Sequence, residues 1–381
     1  MFAPSLFSSY FIAGFECSSH RRRDGVRLDV LASSRHDTFA AEDYRAAARH
    51  GMTTARDGLR WHRIETAPGR YDWSSFLPML RAAHGTGTQV IWDICHYGWP
   101  DDVDIWSPAF VERMGRFARA IAVLIRDETD GVPFYCPVNE ISFLSWAGGE
   151  LGHLNPVGRR RGGELKRQLV RASVAAIEAV REVDPRARIV LADPVINVVA
   201  DPKRPRSRGR AEAYRQAQFE AWDMLCGRLE PELGGRPEHL DIVGANYYAQ
   251  NQWILNGPPV PLGDPLYRPL REILSETWAR YRRPFFIAET GTEGPGRPTW
   301  LRYVGNEVQA ALAAGVPVEG ICIYPITDYL GWQNDRHCDC GLFGFADDSG
   351  QRPVYTPLAD ELRRQQQLFQ PLLQEASAPA A

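Results

Sequence analysis

Short apolar runs alternate with longer amphipathic segments along most of this chain. The runs are rich in β-branched and aromatic residues and favour strands, whereas the longer segments favour helices. Strands are predicted at residues 10–15, 53–57, 88–94, 134–138, 187–191, 240–245, 284–288 and 319–324. Helices are predicted between and after them, at residues 40–50, 74–84, 108–127, 165–183, 211–228, 266–281, 299–314 and 357–373.

Eight strands alternating with eight helices indicate the α/β class and a single (β/α)8 TIM barrel. A doubly wound sheet could hold the same pattern, but it usually carries a glycine-rich phosphate loop after an early strand. The chain contains neither GxGxxG nor GxxxxGK[ST]. We therefore predict one barrel domain over residues 1–374, followed by a short disordered tail at 375–381.

The composition is that of a globular protein, with 381 residues of which 44% are hydrophobic and 24% charged. The net charge of −3 provides no global field for binding nucleic acid or a membrane surface. No run of 18 apolar residues exists that could span a membrane, and the N-terminal segment lacks the features of a signal peptide. The seven cysteines are scattered without a CxxC pair, so we expect reduced thiols and a cytoplasmic location.

Two features bear on metal and cofactor chemistry. Cys338 and Cys340 lie beside His337, but no second cluster completes a set of four ligands, so no metal is expected. Only Lys166 and Lys203 are lysines, and neither follows a predicted strand, which argues against a Schiff-base aldolase. We predict no cofactor.

Two glutamates stand at the ends of predicted strands, where a barrel places its reactive groups. Glu140 follows the fourth strand in the pair Asn139-Glu140, and Glu289 follows the seventh. Two carboxyl groups at one barrel mouth suit glycoside hydrolysis, because one can protonate the leaving oxygen while the other attacks the anomeric carbon or activates water. A single glutamate there could simply cap the next helix, but two at these strands weaken that interpretation.

Further short motifs occur in order along the chain: FIAGFECSS at 11–19, ARDGLRWHRI at 55–64, PGRYDW at 68–73, HYGWP at 96–100, DIVGANYY at 241–248, AETG at 288–291 and CGLFGFAD at 340–347. With the Asn-Glu pair, they resemble the glycoside hydrolase clan of (β/α)8 barrels whose acid/base follows strand four and whose nucleophile follows strand seven. Within that clan the chain looks most like a divergent member of family 1, the β-glucosidase family.

The resemblance implies a retaining hydrolase that cleaves a β-O-glycosidic bond by double displacement. Glu140 would be the acid/base, with a raised pKa, and Glu289 the nucleophile, which must stay ionised. Arg56 would support the nucleophile electrostatically, and Tyr248 would donate a hydrogen bond to it. The expected partner is a small-molecule glycoside or an oligosaccharide.

The resemblance also implies a set of sugar-binding residues. Asn139 would bind the 2-hydroxyl and His96 the region of the 3-hydroxyl, while Asn246 would lie beside the acid/base. The full expected set of substrate-binding residues is Glu16, His96, Tyr97, Asn139, Asn246, Tyr324, Asp328 and Trp332.

Departures from the family pattern concern the sugar site. The family ends strand eight with Trp-Ser-x-x-Asp-Asn-Phe-Glu-Trp, in which the first Trp is the floor of the sugar site and the Glu binds the 4- and 6-hydroxyls. Here residues 324–332 read YPITDYLGW, so Tyr324 replaces that Trp and Gly331 replaces that Glu. The Gln of the first loop is not evident, and Glu16 is the candidate to serve instead. We therefore expect a terminal sugar other than a glucoside held in the usual way.

Two alternatives remain open at this point. A transglycosylase would share the glycosyl-enzyme intermediate and differ only in its acceptor. A carbohydrate-binding barrel without catalysis would account for the altered sugar-binding residues.

The arginine runs at 21–23 and 159–161 fall in loops on the expected catalytic face. They could recognise an anionic group, but ordinary solvated charge is the favoured interpretation.

Overall fold

The computed structural model describes residues 6–377. Eight parallel strands close into one barrel, and each strand pairs with its neighbours in sequence order, the eighth closing onto the first. The strands are β1 (Phe11–Gly14), β2 (Thr54–Gly58), β3 (Gln89–Cys95), β4 (Phe134–Val138), β5 (Arg188–Pro194), β6 (Ile242–Asn246), β7 (Phe285–Thr290) and β8 (Val318–Ile323). The predicted (β/α)8 barrel is confirmed.

Helices surround the barrel in the predicted order. They are α1 (His36–Arg49), α2 (Leu77–Thr86), α3 (Pro108–Glu128), α4 (Gly162–Val183), α5 (Arg208–Gln216), α6 (Glu220–Leu225), α7 (Leu270–Tyr281), α8 (Arg297–Ala313) and α9 (Thr356–Ser377). Shorter helices span Val30–Ser33, Trp61–Ile64 and Ile141–Leu144. The predicted helix at 211–228 is two helices joined by a tight turn at Ala217–Phe219. Helix α9 extends into the predicted tail, of which residues 378–381 lie outside the described residues.

The barrel interior changes character along its axis. At the N-terminal end Phe7 packs its ring against Phe134 and Phe286, with ring centroids 5.8 and 4.8 Å apart, and closes the barrel with apolar contacts. Toward the C-terminal end the fully buried Arg56 and Asp93 replace apolar side chains. The strands are buried on both faces, as parallel strands covered by helices must be, which accounts for their nearly continuous apolar runs.

An irregularity in β7 determines where Glu289 lies. On the β6 side, Ile287 pairs with Ala245 and Glu289 with Asn246, so Ala288 is an extra residue without a counterpart. Phe286 and Ala288 belong to the cluster inside the barrel, so regular alternation would turn residue 289 toward the helices. The bulge re-aims Glu289 into the barrel mouth.

Two further observations concern the whole described chain. All seven cysteines are free, and six of them are buried. Within residues 6–377 no helix has both the length and the apolar character required to cross a membrane.

Candidate active site

A cavity of about 1140 Å³ opens at the C-terminal ends of the barrel strands. Glu140 and Glu289 both line it, with Tyr324 of the loop after β8. The cavity continues outward past Phe143 and Trp146, of which Trp146 is 42% exposed. The sequence therefore brings its two strand-end glutamates to one cavity, as glycoside chemistry requires.

Glu289 is held at both carboxylate oxygens. Arg56 donates to its Oε1 at 2.8 Å, and the Tyr248 hydroxyl donates to its Oε2 at 2.8 Å. Arg56 comes from β2 and Tyr248 from the segment after β6, so both predicted supporting residues reach the predicted carboxylate. Burial raises the pKa of Glu289, and Arg56 opposes this rise most strongly, followed by His96. Arg56 therefore favours the ionised form of Glu289.

Arg56 also binds two further groups. It donates in a fork to both oxygens of Asp93, at 3.0 and 2.7 Å, and to Oδ1 of Asn139 at 2.5 Å. Because Arg56, Asp93 and Glu289 are all buried, the guanidinium is the shared counter-charge of two carboxylates. A fully hydrogen-bonded buried cation of this kind fixes its partners in place.

Glu140 is in a different environment. Tyr97 donates its phenolic hydrogen to Oε2 of Glu140, and Asn246 donates to Oε1 at 2.9 Å. Burial and then the charge of Glu289 raise the pKa of Glu140 to about 8, although both hydrogen bonds lower it. Glu140 therefore carries a proton at neutral pH, which a general acid needs.

Asn139 links the surroundings of the two glutamates. Its Oδ1 accepts from Arg56, so its Nδ2 must be the atom that faces Tyr97 Oη at 2.9 Å and His96 Nε2 at 3.0 Å. This orientation assigns an accepting Nε2 to His96, whose Nδ1 then donates to Asp93 at 2.9 Å. Asn139 lies beneath the cavity floor with its polar atoms engaged by protein groups, and His96 lines the cavity.

The remaining predicted sugar-binding residues fall into two groups. Glu16, Tyr97, Tyr324 and Trp332 line the cavity. The Tyr324 hydroxyl and the Trp332 Nε1 are buried atoms without a hydrogen-bond partner in the described part of the chain. Such atoms at a cavity wall are available to a ligand.

Two predicted residues lie behind the cavity wall. Asn246 contacts Glu140 from below, and its Oδ1 has no partner among residues 6–377. Asp328, predicted to bind substrate, instead accepts from the backbone N–H of Gly341 at 2.8 Å and contacts His337 at 3.1 Å. It is engaged in this way because the chain after β8 turns back as a hairpin, Tyr329–Leu330 against His337–Cys338, directly beyond it.

Three residues of the site were missed by sequence reasoning. Asp93 lies inside β3 and is followed by Ile94 and Cys95, so it does not stand at a strand end as Glu140 and Glu289 do. Phe143 and Trp146 form the outer cavity wall, with ring centroids 6.0 Å apart. They follow Glu140 in the segment ISFLSW, whose apolar pattern cannot be told from a core helix.

Three of the six arginines in the two runs pair with carboxylates of the protein. Arg21 pairs with Asp101, and Arg22 pairs with Asp24 and Asp335. Arg161 pairs with Glu164 and stacks over the Trp106 ring, with its guanidinium carbon 3.5 Å from the ring centroid. None of the arginines at 21–23 or 159–161 lines the cavity.

Two groups of possible metal ligands occur among the described residues. Cys17, Asp93 and His96 are mutually close, but Arg56 already binds both oxygens of that aspartate. Asp328, His337 and Asp339 form the other group, in which both carboxylates contact the same histidine nitrogen, at 3.1 and 3.0 Å. Cys338 and Cys340 take no part in either group.

Comparison with known sequences identifies little. No family model matches the chain. A curated relative, the 21.9 kDa heat shock protein of Oryza sativa subsp. japonica, is 44% identical over 55 residues, which are 14% of this chain and 26% of that protein. The chain thus spans about a quarter of the length of the curated relative it matches, and that segment says nothing about the barrel.

Solved structures are similar over nearly the whole chain. A family 1 β-glucosidase from Thermotoga maritima is 14% identical, covering 95% of this chain and 97% of its own, with a TM-score of 0.73. A hyperthermophilic β-glucosidase mutant is 17% identical, covering 95% and 100%, with a TM-score of 0.72. The AHE enzyme from Alicyclobacillus herbarius is 16% identical, covering 87% and 88%, with a TM-score of 0.71. The chain therefore has the (β/α)8 barrel fold of the family 1 β-glucosidases.

Proposed function

We propose that this protein is a retaining glycoside hydrolase that cleaves β-O-glycosidic bonds. One observation carries the proposal: two glutamates line one cavity, and a buried arginine contacts Glu289 but not Glu140. Arg56 favours ionised Glu289, whereas burial and like charge keep Glu140 protonated to about pH 8. When one carboxyl group of a pair is ionised and the other is protonated, the first can act as nucleophile and the second as acid.

In the first step, a carboxylate oxygen of Glu289 attacks the anomeric carbon while the bond from that carbon to the leaving oxygen breaks. Glu140 transfers its proton to the leaving oxygen, so the aglycone departs neutral and Glu140 becomes ionised. In the second step Glu140 takes a proton from water as the water oxygen attacks the anomeric carbon. As that bond forms, the bond from the anomeric carbon to Glu289 breaks, which restores the Glu289 carboxylate and the protonated Glu140.

The β-glucosidases of similar structure support this assignment. The Thermotoga maritima β-glucosidase was also solved in complex with glucoimidazole and with deoxynojirimycin. This chain shares that fold and places a carboxyl group after β4 and another at the end of β7.

Transfer of the glycosyl group to an alcohol instead of water would use the same first step. Product analysis with and without an acceptor alcohol distinguishes hydrolysis from this transfer.

The test is to trap the intermediate. Aryl β-glycosides of several 2-deoxy-2-fluoro sugars should give a stable adduct, detected by intact-protein mass, because fluorine slows hydrolysis of the glycosyl-enzyme. Peptide mapping should place the adduct on Glu289, and the Glu289→Gln variant should form none. An adduct on another residue would contradict the nucleophile assignment. Unchanged turnover in both Glu140→Gln and Glu289→Gln would contradict the proposed function as a whole.

A further inference from the structure

A third carboxylate faces the cavity and has no part in the two-step reaction. Glu16, in the loop after β1, is only 6% exposed and lines the cavity with Glu140 and Glu289. Its Oε1 accepts one hydrogen bond, from the backbone N–H of Ser18 at 2.9 Å. Within the described residues 6–377, no arginine or lysine forms an ion pair with it.

The nearest ionisable nitrogen is held by other groups. His96 Nε2 lies 3.8 Å from Glu16 Oε1, which is beyond hydrogen-bond distance. This nitrogen faces the Asn139 amide at 3.0 Å, and Nδ1 of the same ring hydrogen-bonds Asp93 at 2.9 Å. A buried carboxylate without a hydrogen-bonded cation is costly, and a ligand that supplies one stabilises it.

The cations around the wider cavity are engaged by other glutamates. Seven glutamates line it, with the basic residues Lys166 and Arg167. Lys166 pairs with Glu220 at 2.7 Å and Arg167 with Glu230 at 2.6 Å, so neither cation is free to reach Glu16. Glu289 pairs with Arg56 and Glu293 with Arg336, so these two arginines are engaged as well.

The unpartnered polar atoms nearby suit a sugar ring. Tyr324 Oη and Trp332 Nε1 are available as hydrogen-bond donors to hydroxyl oxygens. A neutral sugar hydroxyl could also donate to Glu16. The amide oxygen of a glutamine at this position would accept that hydrogen bond equally well, without the cost of a buried charge. We infer that the sugar recognised here carries an amino group, and that its ammonium ion pairs with Glu16. This inference rests on the proposed function.

The test compares matched substrates on the full-length protein. We would measure kcat/KM for 4-nitrophenyl β-D-glucopyranoside and for its aminodeoxy analogues substituted at carbon 2, 3, 4 or 6. At about pH 6 the amines are protonated. At least one amino glycoside should exceed the parent by about tenfold or more, and N-acetylation of that substrate should abolish the advantage because it removes the charge.

Variants assign the effect to one residue. Glu16→Gln should lower the ratio of kcat/KM between the amino and the parent glycoside by about tenfold or more. Glu293→Gln is the matched control, because Glu293 also lines the cavity but pairs with Arg336, and this ratio should stay within about twofold of the wild-type value. Preference of the wild type for the parent over every analogue, or an amino preference that survives in Glu16→Gln, would overturn the inference.

Failure of the proposed function is recognised separately. If no glycoside in the panel is hydrolysed, calorimetry of the same amino glycosides decides the question by binding alone. Affinity that is about tenfold or more weaker in Glu16→Gln than in the wild type supports the ammonium site. Equal affinity in the two proteins, or no binding to either, overturns it.

Discussion

Tyr97 donates its phenolic hydrogen to Glu140, and both residues hold left-handed backbone conformations, with φ of +66° and +48°. Positive φ is uncommon for residues with a side chain and is concentrated at functional sites. The Tyr97 hydroxyl in turn accepts from Asn139, which also binds Arg56. The orientation of the proposed acid is thus linked through two side chains to the cation that holds the proposed nucleophile.

The pH dependence of activity should follow Glu140. Because the acid must be protonated and its pKa is about 8, kcat/KM should fall as the pH rises through about 8. The measurement is a pH profile of kcat/KM on a glycoside with a poor leaving group, for which acid catalysis matters most. The Glu140→Gln variant should lack the basic limb, and a basic limb at the same pH in that variant would contradict the assignment.

Tyr97→Phe should move that basic limb upward. The hydrogen bond from Tyr97 lowers the pKa of Glu140, so its removal lets the carboxyl group keep its proton to higher pH. The control is Tyr135→Phe, because that buried hydroxyl in β4 has no hydrogen-bond partner among the described residues. A shift of equal size in both variants would point to general loosening of the barrel and not to a positioning role.

Tyr248→Phe should reduce kcat by about tenfold to a hundredfold, which is the expected effect of losing one hydrogen bond to a charged group. Tyr248 donates to Glu289 Oε2 at 2.8 Å and lowers the pKa of that carboxyl, so the acid limb of the pH profile should also move upward. A change in KM alone, with kcat and the acid limb unaltered, would show that Tyr248 contacts substrate without orienting the nucleophile.

Arg56→Met should lower the free energy of unfolding by about 3–5 kcal/mol, because it leaves two buried carboxylates without their shared cation. Chemical denaturation at neutral pH measures this change. The matched control is Arg21→Met, which removes a pair with Asp101 whose side chains are 38% and 56% exposed, and which should cost no more than about 1 kcal/mol. Equal losses in the two variants would contradict the structural importance of the buried network.

His36 should stabilise the fold in a pH-dependent way. It lies between Asp43 and Asp57, 2.7 Å from an oxygen of each. Burial lowers its pKa, but the two carboxylates outweigh this effect and raise it to about 9. Because the folded-state pKa lies above the unfolded value, the stabilisation is fully present below about pH 6.5 and lost as the pH rises through about 9.

The corresponding measurement is the difference in unfolding free energy between the wild type and His36→Gln. It should amount to about 3 kcal/mol near pH 6 and shrink above pH 9. A difference that does not change with pH would mean that packing of the ring against Phe15, with centroids 3.8 Å apart, accounts for the stabilisation.

Many residues of the site can be predicted from the sequence because the patterns that identify them are local. An acid that ends an apolar run can be read without knowing what the run packs against, which is how Glu140 and Glu289 were predicted. Asp93 lies inside β3, before Ile94 and Cys95, and carries no such signal. Asp328 was read from its place in a motif, yet its carboxylate is engaged by Gly341 and His337 behind the cavity wall.

The amino-acid pattern alone predicts the eight strands, their order around the barrel and the end at which the chemistry lies. Alternation of apolar and amphipathic segments is a property of neighbouring residues, and a parallel barrel follows from it. Three features follow from the folded chain and not from the pattern: the contact between Tyr97 and Glu140, the bulge at Ala288 that turns Glu289 inward, and the lack, within residues 6–377, of an arginine or lysine beside Glu16. These depend on distances between segments remote in sequence, and hydrophobic patterning carries no information about such distances.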